Sequence, residues 1–437
     1  MTSPDTAGTE SAARERSEDA PLRPAAGRSS LGEVCAVLWP PPATVSLRRG
    51  PRSLRRRDRD RERDLVVLPS ARRPRLLVPA GRRASAAAVR RYGEPGSFAA
   101  WAGSRALALA LAAGGATVGL GGRLRVSADP GTGTAEAGAG TAEAGTIEAY
   151  LRSVLGYEVL VSTHLGAARA NRKPVLQLLT PRGQTAGFAK ISVNPLTRDL
   201  IRAERAALDT LAAGNLRALT APRVLHHGQW RGREVLIMNA LPVWRRRQGL
   251  RPGQLTAAMT ELTAVGGRRR GPLAGSGYLD RLRSRLAGAP AGPDRDALGD
   301  ALDVLAAAGP ELSFGAWHGD WTGWNMASTA GGLLVWDWER FAPGVPVGFD
   351  PLHYQLQSDV VRRRRPPAQA ARGCVRDAAA CLAPFGVPAG QARLVAVLYL
   401  AELSARYLAD RQAEAGARLG RPGTWLIPAI EEAVKTL

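Results

Sequence analysis

Lysine is nearly missing from this chain. Only Lys173, Lys190 and Lys435 occur among 437 residues, although Lys and Arg together number 60 against 38 Asp and Glu. The formal charge of +22 would ordinarily point to nucleic acid. Here the excess is carried by Arg in a chain rich in Ala, Gly and Pro, the mark of a genome-wide codon bias. It is also uneven: residues 1–100 carry about +9, and residues 240–437 about +6 (24 basic, 18 acidic). No readout module accompanies the charge, so no specific nucleic-acid partner is expected.

Cysteine is as scarce. Cys35, Cys374 and Cys381 cannot build a disulfide framework or a zinc site, and a reduced, cytoplasmic setting is the simplest inference. The start of the chain is polar and of mixed charge, without the apolar stretch of a signal peptide. Long apolar runs are lacking too. Ala106 to Gly122, bounded by Arg105 and Arg123 and broken by Gly114-Gly115, falls short of the ~20 residues a membrane span needs. It reads as a buried helix leading into a strand, and no membrane association is expected. The phosphate-cradling pattern G-x-G-x-x-G is also absent.

What is present divides the chain. Residues 1–64 are rich in Pro, Ser and Arg, contain the run Arg55 to Asp64, and read as a disordered tail that cannot offset its ordering entropy. Residues 65–127 read as a small α/β segment, with strands at Leu65–Leu68, Leu76–Val78 and Leu120–Val126 and a helix from Ser97 to Ala113. A Gly/Ala-rich linker with two copies of Thr-Ala-Glu-Ala-Gly fills 128–145. From 146 to 241 the pattern predicts a short helix capped by Thr146, then five strands at 158–164, 174–180, 185–193, 222–229 and 234–240. A helix from Thr197 to Ala213, with Thr197 as a cap, interrupts them after the third. Residues 242–437 read as mainly helical.

The chemistry concentrates in His318-Gly319-Asp320-Trp321-Thr322-Gly323-Trp324-Asn325, followed by Trp336-Asp337-Trp338-Glu339 behind the apolar run Leu333-Leu334-Val335. A carboxylate, an amide five residues on, and a second carboxylate twelve residues further, after a strand, suit phosphoryl transfer. The first orients a hydroxyl and the other two hold metal. Glu339 either helps with metal or points elsewhere. His318 reads as a structural hydrogen-bonding residue, the surrounding tryptophans as packing, and Asp350-Pro351 as a helix start with Asp350 as N-cap. Lys190, at the end of the third strand, can reach nucleotide phosphates as a compact point charge. Glu204, fourteen residues on, could pair with it. The loop around Gly166 either covers phosphates through backbone amides or is an ordinary hairpin loop.

On these residues the chain resembles the aminoglycoside phosphotransferase-like family, small-molecule kinases of the protein-kinase-like fold. The resemblance is carried by His318 to Asn325, Trp336 to Phe341 and Gly348 to Tyr354, and covers roughly residues 150–437. It implies an α+β, two-lobed fold with a β-rich first lobe and a helical second one. It implies Asp320 as catalytic base, Asn325 and Asp337 as Mg2+ ligands, and Lys190 on phosphates with Glu204 as its partner. ATP or another NTP would lie between the lobes, its base near Met238 to Leu241. Gly319 stands where protein kinases usually carry Arg, and only ten residues separate Asp337 from Gly348. Both point to a constitutive kinase of small molecules. The mildly basic helical region, with Arg362 to Arg365, favours a sugar or amino alcohol over a polycationic acceptor. A catalytically silent nucleotide- or partner-binding module is the alternative.

Overall fold

Short runs of Val and Leu set between prolines favour strands over helix in the first third of the chain. The computed structural model describes residues 20–21, 30–48, 62–70, 73–92, 98–114, 122–127, 145–166, 169–243 and 248–436. They fall into two units, Met1–Leu165 with Pro174–Ala186 and Trp230–Gly232, and Gly166–Lys173 with Gly187–Gln229 and Arg233–Leu437.

In the first unit β1 (Ala20–Pro21), β2 (Thr44–Arg48), β5 (Gly122–Ser127), β3 (Glu62–Ser70), β4 (Arg73–Pro79), β6 (Leu160–His164) and β7 (Val175–Leu179) lie side by side in that order. Every neighbouring pair is antiparallel. Leu65, Val66, Val67 and Leu68 are all buried, so β3 is covered on both faces, as an unbroken apolar run requires. The helices α2 (Arg82–Tyr92) and α3 (Phe98–Gly114) lay Ala84, Ala88, Ala108 and Leu111 against Val66, Leu68 and Val78. The sequence reading contains no helix at 82–92, because its small alanine stripe is diluted by four arginines.

Segment 1–64 needs correction. Its parts at 1–19, 22–29 and 49–61 lie outside the described residues, as does the expected linker up to residue 144. The rest is not a tail: α1 (Ser30–Leu38) and β2 are ordered, with Leu31, Val34, Cys35, Leu38 and Trp39 buried. Averaging composition over the Arg-rich flanks hides this apolar patch. The Trp39 indole N–H donates to both carboxylate oxygens of buried Glu148 at 3.0 Å. That glutamate belongs to α4 (Ile147–Leu155), which Thr146 caps by accepting from the Ala149 amide at 3.4 Å.

The units do not divide at the expected boundaries of 145 and 241. Pairing of Leu76 with His164 and Leu77 with Thr163 joins the expected small α/β segment to the strands that follow it. Within the second unit β8 (Thr185–Ile191), whose first two residues count with the first unit, pairs antiparallel with β11 (Arg233–Asn239), Lys190 opposite Leu236. β10 (Val224–Trp230) flanks β11. Helix α5 (Pro195–Ala213) starts at Asn194, which accepts from the Thr197 amide at 2.8 Å while Thr197 Oγ1 accepts from the Asn194 amide at 3.0 Å. Thr197 is therefore the third helical residue of a capping box and not the cap. This register turns Thr197, Ile201, Glu204, Leu208 and Leu211 inward.

Beyond Leu241 the helices are α6 (Gln254–Thr263), α7 (Gly277–Ala287), α8 (Pro293–Ala307), α9 (Phe349–Gln357), α10 (Pro367–Arg376), α11 (Ala378–Leu382), α12 (Ala389–Ala409) and α13 (Ile427–Val434). Short strands break up the helices more than the sequence predicts. β12 (Arg269–Pro272), β13 (Glu311–Trp317) and β16 (Ala342–Pro346) form one sheet; β14 (Met326–Thr329), β15 (Gly332–Val335) and β9 (Leu219–Thr220) form another. The end of β13 delivers His318 and the end of β15 delivers Asp337. Helix α12 runs through the core, and every residue from Leu394 to Arg406 is buried. No single described helix is long and apolar enough to cross a membrane. Helices mixed with antiparallel sheets make the α+β class expected.

Replacing Trp39 by Phe leaves the buried Glu148 carboxylate without its indole donor. Urea unfolding should show a loss of about 1–3 kcal/mol; an unchanged midpoint would mean that the α1 segment does not dock through this pair.

Candidate functional site

A lysine cannot stay charged in a protein interior without carboxylates around it, and Lys190 is 6% exposed. Its ammonium ion-pairs with Asp337, stands 2.6 Å from Glu204 Oε2 and 3.8 Å from Glu339 Oε2. Burial alone would lower its pKa; Asp337, then Glu204 and Glu339, raise it well above the ordinary lysine value. Glu204 is fully buried because α5 places it on the apolar face. Its other oxygen accepts from the Trp338 amide at 3.2 Å, tying the helix to the segment after β15. Asp337 adopts a left-handed backbone, φ 74°, at a cost of order 1–3 kcal/mol for a residue other than glycine. Burial would raise its carboxyl, but Lys190 and then Lys173 hold it below the usual aspartate range.

The second group is built around the His318 loop. His318 is neutral and buried, its pKa lowered to about 4 chiefly by burial. Its Nδ1 accepts from the Asp320 amide at 3.1 Å, so Nε2 carries the proton and donates to the Trp336 carbonyl at 3.1 Å. One ring thus spans from the Asp320 backbone to the residue before Asp337. The Asp320 carboxylate meets His353 Nε2 at 3.0 Å through Oδ1 and the Asn325 amide at 3.0 Å through Oδ2. His353 is set in turn by the Tyr399 hydroxyl at 2.9 Å. Burial, the strongest single influence, would raise the Asp320 carboxyl; the His353 hydrogen bond and the nearby positive charge, that of Arg406 included, together outweigh it and the net shift is downward. The Asp320 side chain remains 36% exposed, so an anionic carboxylate faces solvent from a fixed position.

Gly319 has φ +83°, and a Cβ there would stand 2.2 Å from the Arg340 carbonyl. No side chain of any kind fits, which is why arginine is excluded at this point. Arg406 donates to the Gly319 carbonyl at 2.7 Å. Asp350 does not cap its own helix: the N-cap of α9 is Gly348, with φ 114°. The Asp350 carboxylate accepts instead from the amides of His318 at 2.8 Å and Gly319 at 3.2 Å. Gly348 leaves Asp350 inside the helix, where its side chain reaches the loop and not its own first turn.

Most residues marked in the sequence converge: Lys190, Glu204 and Asp337 in one ion cluster, and His318, Asp320 and Asn325 in one loop that Asp350 holds from α9. Glu339 turns to Lys173, with Asn171 3.3 Å away. Met238 lies opposite Phe188 in the β8–β11 pair. Leu241 packs with Ala327 and Leu334 in a separate apolar cluster. Gly166 heads the stretch 166–173 and does not join the ion cluster; the far end of that stretch supplies Asn171 and Lys173. Sequence reasoning missed Lys173, His353 and Arg406. Only the rarity of lysine offered a signal, and only for the first. Trp317, Trp321 and Trp338 are buried as packing residues, whereas Trp324 is 42% exposed.

Asn325 and Asp337 fit a hard divalent cation by their donor chemistry. The Asn325 amide nitrogen is used on Asp320, which leaves its oxygen as the remaining acceptor. The Trp336 amide donates to the Asn325 carbonyl at 3.0 Å, next in sequence to a carboxylate that is 34% exposed. Glu204, Asp337 and Glu339 also have oxygens within 4.8 Å of one another, but the Lys190 ammonium already stands among them.

No protein-family model matches the chain, and no curated protein does. Solved structures do match. The apo form of a thermostable mutant of the aminoglycoside phosphotransferase APH(4)-Ia is 16% identical over 66% of this chain and 99% of that one, with a TM-score of 0.41. A further mutant of that phosphotransferase, in a ternary complex with AMP-PNP and hygromycin B, is 15% identical over 66% and 98%, TM-score 0.44. The amicoumacin kinase hAmiN, in complex with AMP-PNP, Ca2+ and Ami, is 12% identical over 64% and 88%, TM-score 0.35. With TM-scores under one half these likenesses are loose.

If the His353 hydrogen bond holds the Asp320 carboxyl down, His353→Asn leaves burial to act and raises its titration midpoint above the depressed native one. Carbonyl-carbon NMR of Asp320 reads this directly, and an unmoved midpoint assigns the depression elsewhere.

Proposed function

We propose that this chain is a phosphotransferase of the aminoglycoside phosphotransferase-like kind. It would move the γ-phosphate of ATP or another nucleoside triphosphate to a hydroxyl of a small molecule such as a sugar or amino alcohol. The observation that carries the reading is the pairing of two charge groups through one neutral imidazole. His318 joins the backbone of Asp320, an exposed anionic base, to the segment bearing Asp337, which shares a buried lysine with Glu204.

In this reading Asp320 accepts the acceptor's proton as the oxygen–phosphorus bond forms and the bond to the leaving nucleoside diphosphate breaks. The pull of His353 on its carboxyl keeps Asp320 ionised, and Asn325 fixes its second oxygen. Lys190, anchored by Glu204, presents positive charge to the phosphates, with Gly166 and the backbone near Met238 and Leu241 serving the rest of the nucleotide. Asn325 and Asp337 would hold Mg2+, which when bound neutralises phosphate charge. His318 and Asp350 keep the loop in place. Residues 146–241 then serve the nucleotide and 242–437 the base and metal groups, in the reducing cytoplasm that three free cysteines suit.

The test follows nucleoside-triphosphate turnover across sugars, amino alcohols and aminoglycosides. Asp320→Ala should lower kcat by about 10²–10⁴, the usual worth of a general base, and chelation of divalent cations should abolish turnover. Nucleotide binding without acceptor-stimulated, Asp320-dependent turnover anywhere on the panel would instead establish a silent binding module.

A further inference from the structure

A cavity of about 150 Å³ in the second unit is lined by residues of α7, the end of β13, α12 and the stretch after Asp337, among them Tyr278, Arg281, Arg285, Trp317, Arg340 and Arg406. It is about five times the ~30 Å³ that one water occupies in the liquid. Four guanidiniums line it against two carboxylates, Glu339 and Glu402. Neither carboxylate is idle. Glu402 ion-pairs with Arg285 and lies 3.7 Å from Arg406, while Glu339 pairs with Lys173. Arg340 is met by Asp410 from outside the lining. Four positive charges less two negative leave +2, and adding Lys173 and Asp410 cancels. The guanidinium of Arg281 reaches the carbonyls of Pro343 and Gly344, at 3.2 and 3.0 Å.

Two polar atoms of lining residues are buried without a hydrogen-bond partner among the described residues: Trp317 Nε1 and the Tyr278 hydroxyl. Both side chains belong to residues 3% exposed. An indole N–H can only donate. Burial, reinforced by Glu402, holds the Tyr278 phenol far above its usual pKa, so it too keeps its proton. Burial and then Arg340 pull the Arg406 pKa down, the response of a cation with too little negative charge nearby. Unpaired buried donors are costly, and here they accompany surplus positive charge.

We propose that this cavity is a binding site for one phosphate-sized oxyanion, either the free ion or a phosphate carried on a small molecule. Arg406 also holds the Gly319 carbonyl at 2.7 Å and lies 5.0 Å from the Trp317 ring centroid, so occupancy bears on the His318 loop. The binding site stands on its own geometry and not on the phosphotransfer reading.

Thermal unfolding of the full chain in sodium phosphate, against sodium chloride at equal ionic strength, tests it. Phosphate should raise the midpoint of the wild type and of Lys190→Ala alike, because ligand binding to the folded state stabilises it. In Tyr278→Phe the half-maximal phosphate concentration should rise about tenfold, the loss of a hydrogen bond to a charged group. Without phosphate this variant should be no less stable than the wild type, since the hydroxyl it loses has no partner. Arg281→Met should weaken the response likewise. Equal competition by methyl phosphate would extend the site to phosphate esters, and its failure would restrict it to the free ion; either outcome upholds the oxyanion site. No phosphate-specific shift in the wild type would overturn it. So would a shift lost in Lys190→Ala but kept in Tyr278→Phe and Arg281→Met. Asp320→Ala should keep the shift, and a wild type stabilised by phosphate but without turnover on the acceptor panel would sink the phosphotransfer reading alone.

Discussion

Taking a lysine ammonium out of water costs several kcal/mol unless carboxylates come with it, and Lys190 brings three from two distant parts of the chain. Glu204 arrives on α5, through a capping box that sets the helix register. Asp337 and Glu339 arrive at the end of β15. Removing Lys190 would leave three carboxylates with only Lys173 to answer them. The cluster therefore locks strand, helix and loop into one register, and it keeps a mobile-looking side chain at a fixed point. Lys173 completes the balance by answering Glu339, so that two lysines meet three carboxylates. One negative charge is left over, on the side where Asp337 reaches solvent.

The His318 loop is held by a different device, the satisfaction of its backbone. Asp350 takes two amides, Arg406 takes the Gly319 carbonyl, and the His318 ring takes an amide and gives its proton to a carbonyl. The price is a glycine at 319 and a buried histidine that cannot ionise near neutral pH. What is gained is a carboxylate whose two oxygens already have a defined partner each, His353 and Asn325. Such pre-orientation lowers the reorganisation needed during proton transfer.

The arginine richness of the chain takes on two meanings. Part of it is neutralised locally on the surface, as where Asp359 meets Arg363 at 2.5 Å and Arg365 at 3.2 Å. Part of it is interior. Arg340 pairs with Asp410 and Arg406 lies beside Glu402, which also meets Arg285 from the exposed side, and Arg406 braces the loop backbone. A guanidinium suits that task because its flat fork can serve a carbonyl and a carboxylate together while lying near an indole ring.

From residues alone, the spacing of Asp320, Asn325 and Asp337 already pointed to one kind of chemistry. That spacing is local, and loop chemistry of this sort depends on near neighbours in the chain. Lys190 could be marked because lysine is so rare here, and α4, α5 and the strands around them followed from apolar periodicity. Other assignments depended on partners far away in sequence. His353 looked unremarkable until α9 and α12 brought it between Asp320 and Tyr399. Asp350 carried every local sign of a cap and was instead turned onto the loop by Gly348. The stretch Leu31–Trp39 was hidden by its arginine-rich flanks, and it is ordered because Trp39 meets the buried Glu148. The sequence determined which groups could do chemistry; the tertiary structure decided which of them are held, paired and charged. Burial and ion pairing arise only when distant segments pack, and no local pattern encodes them.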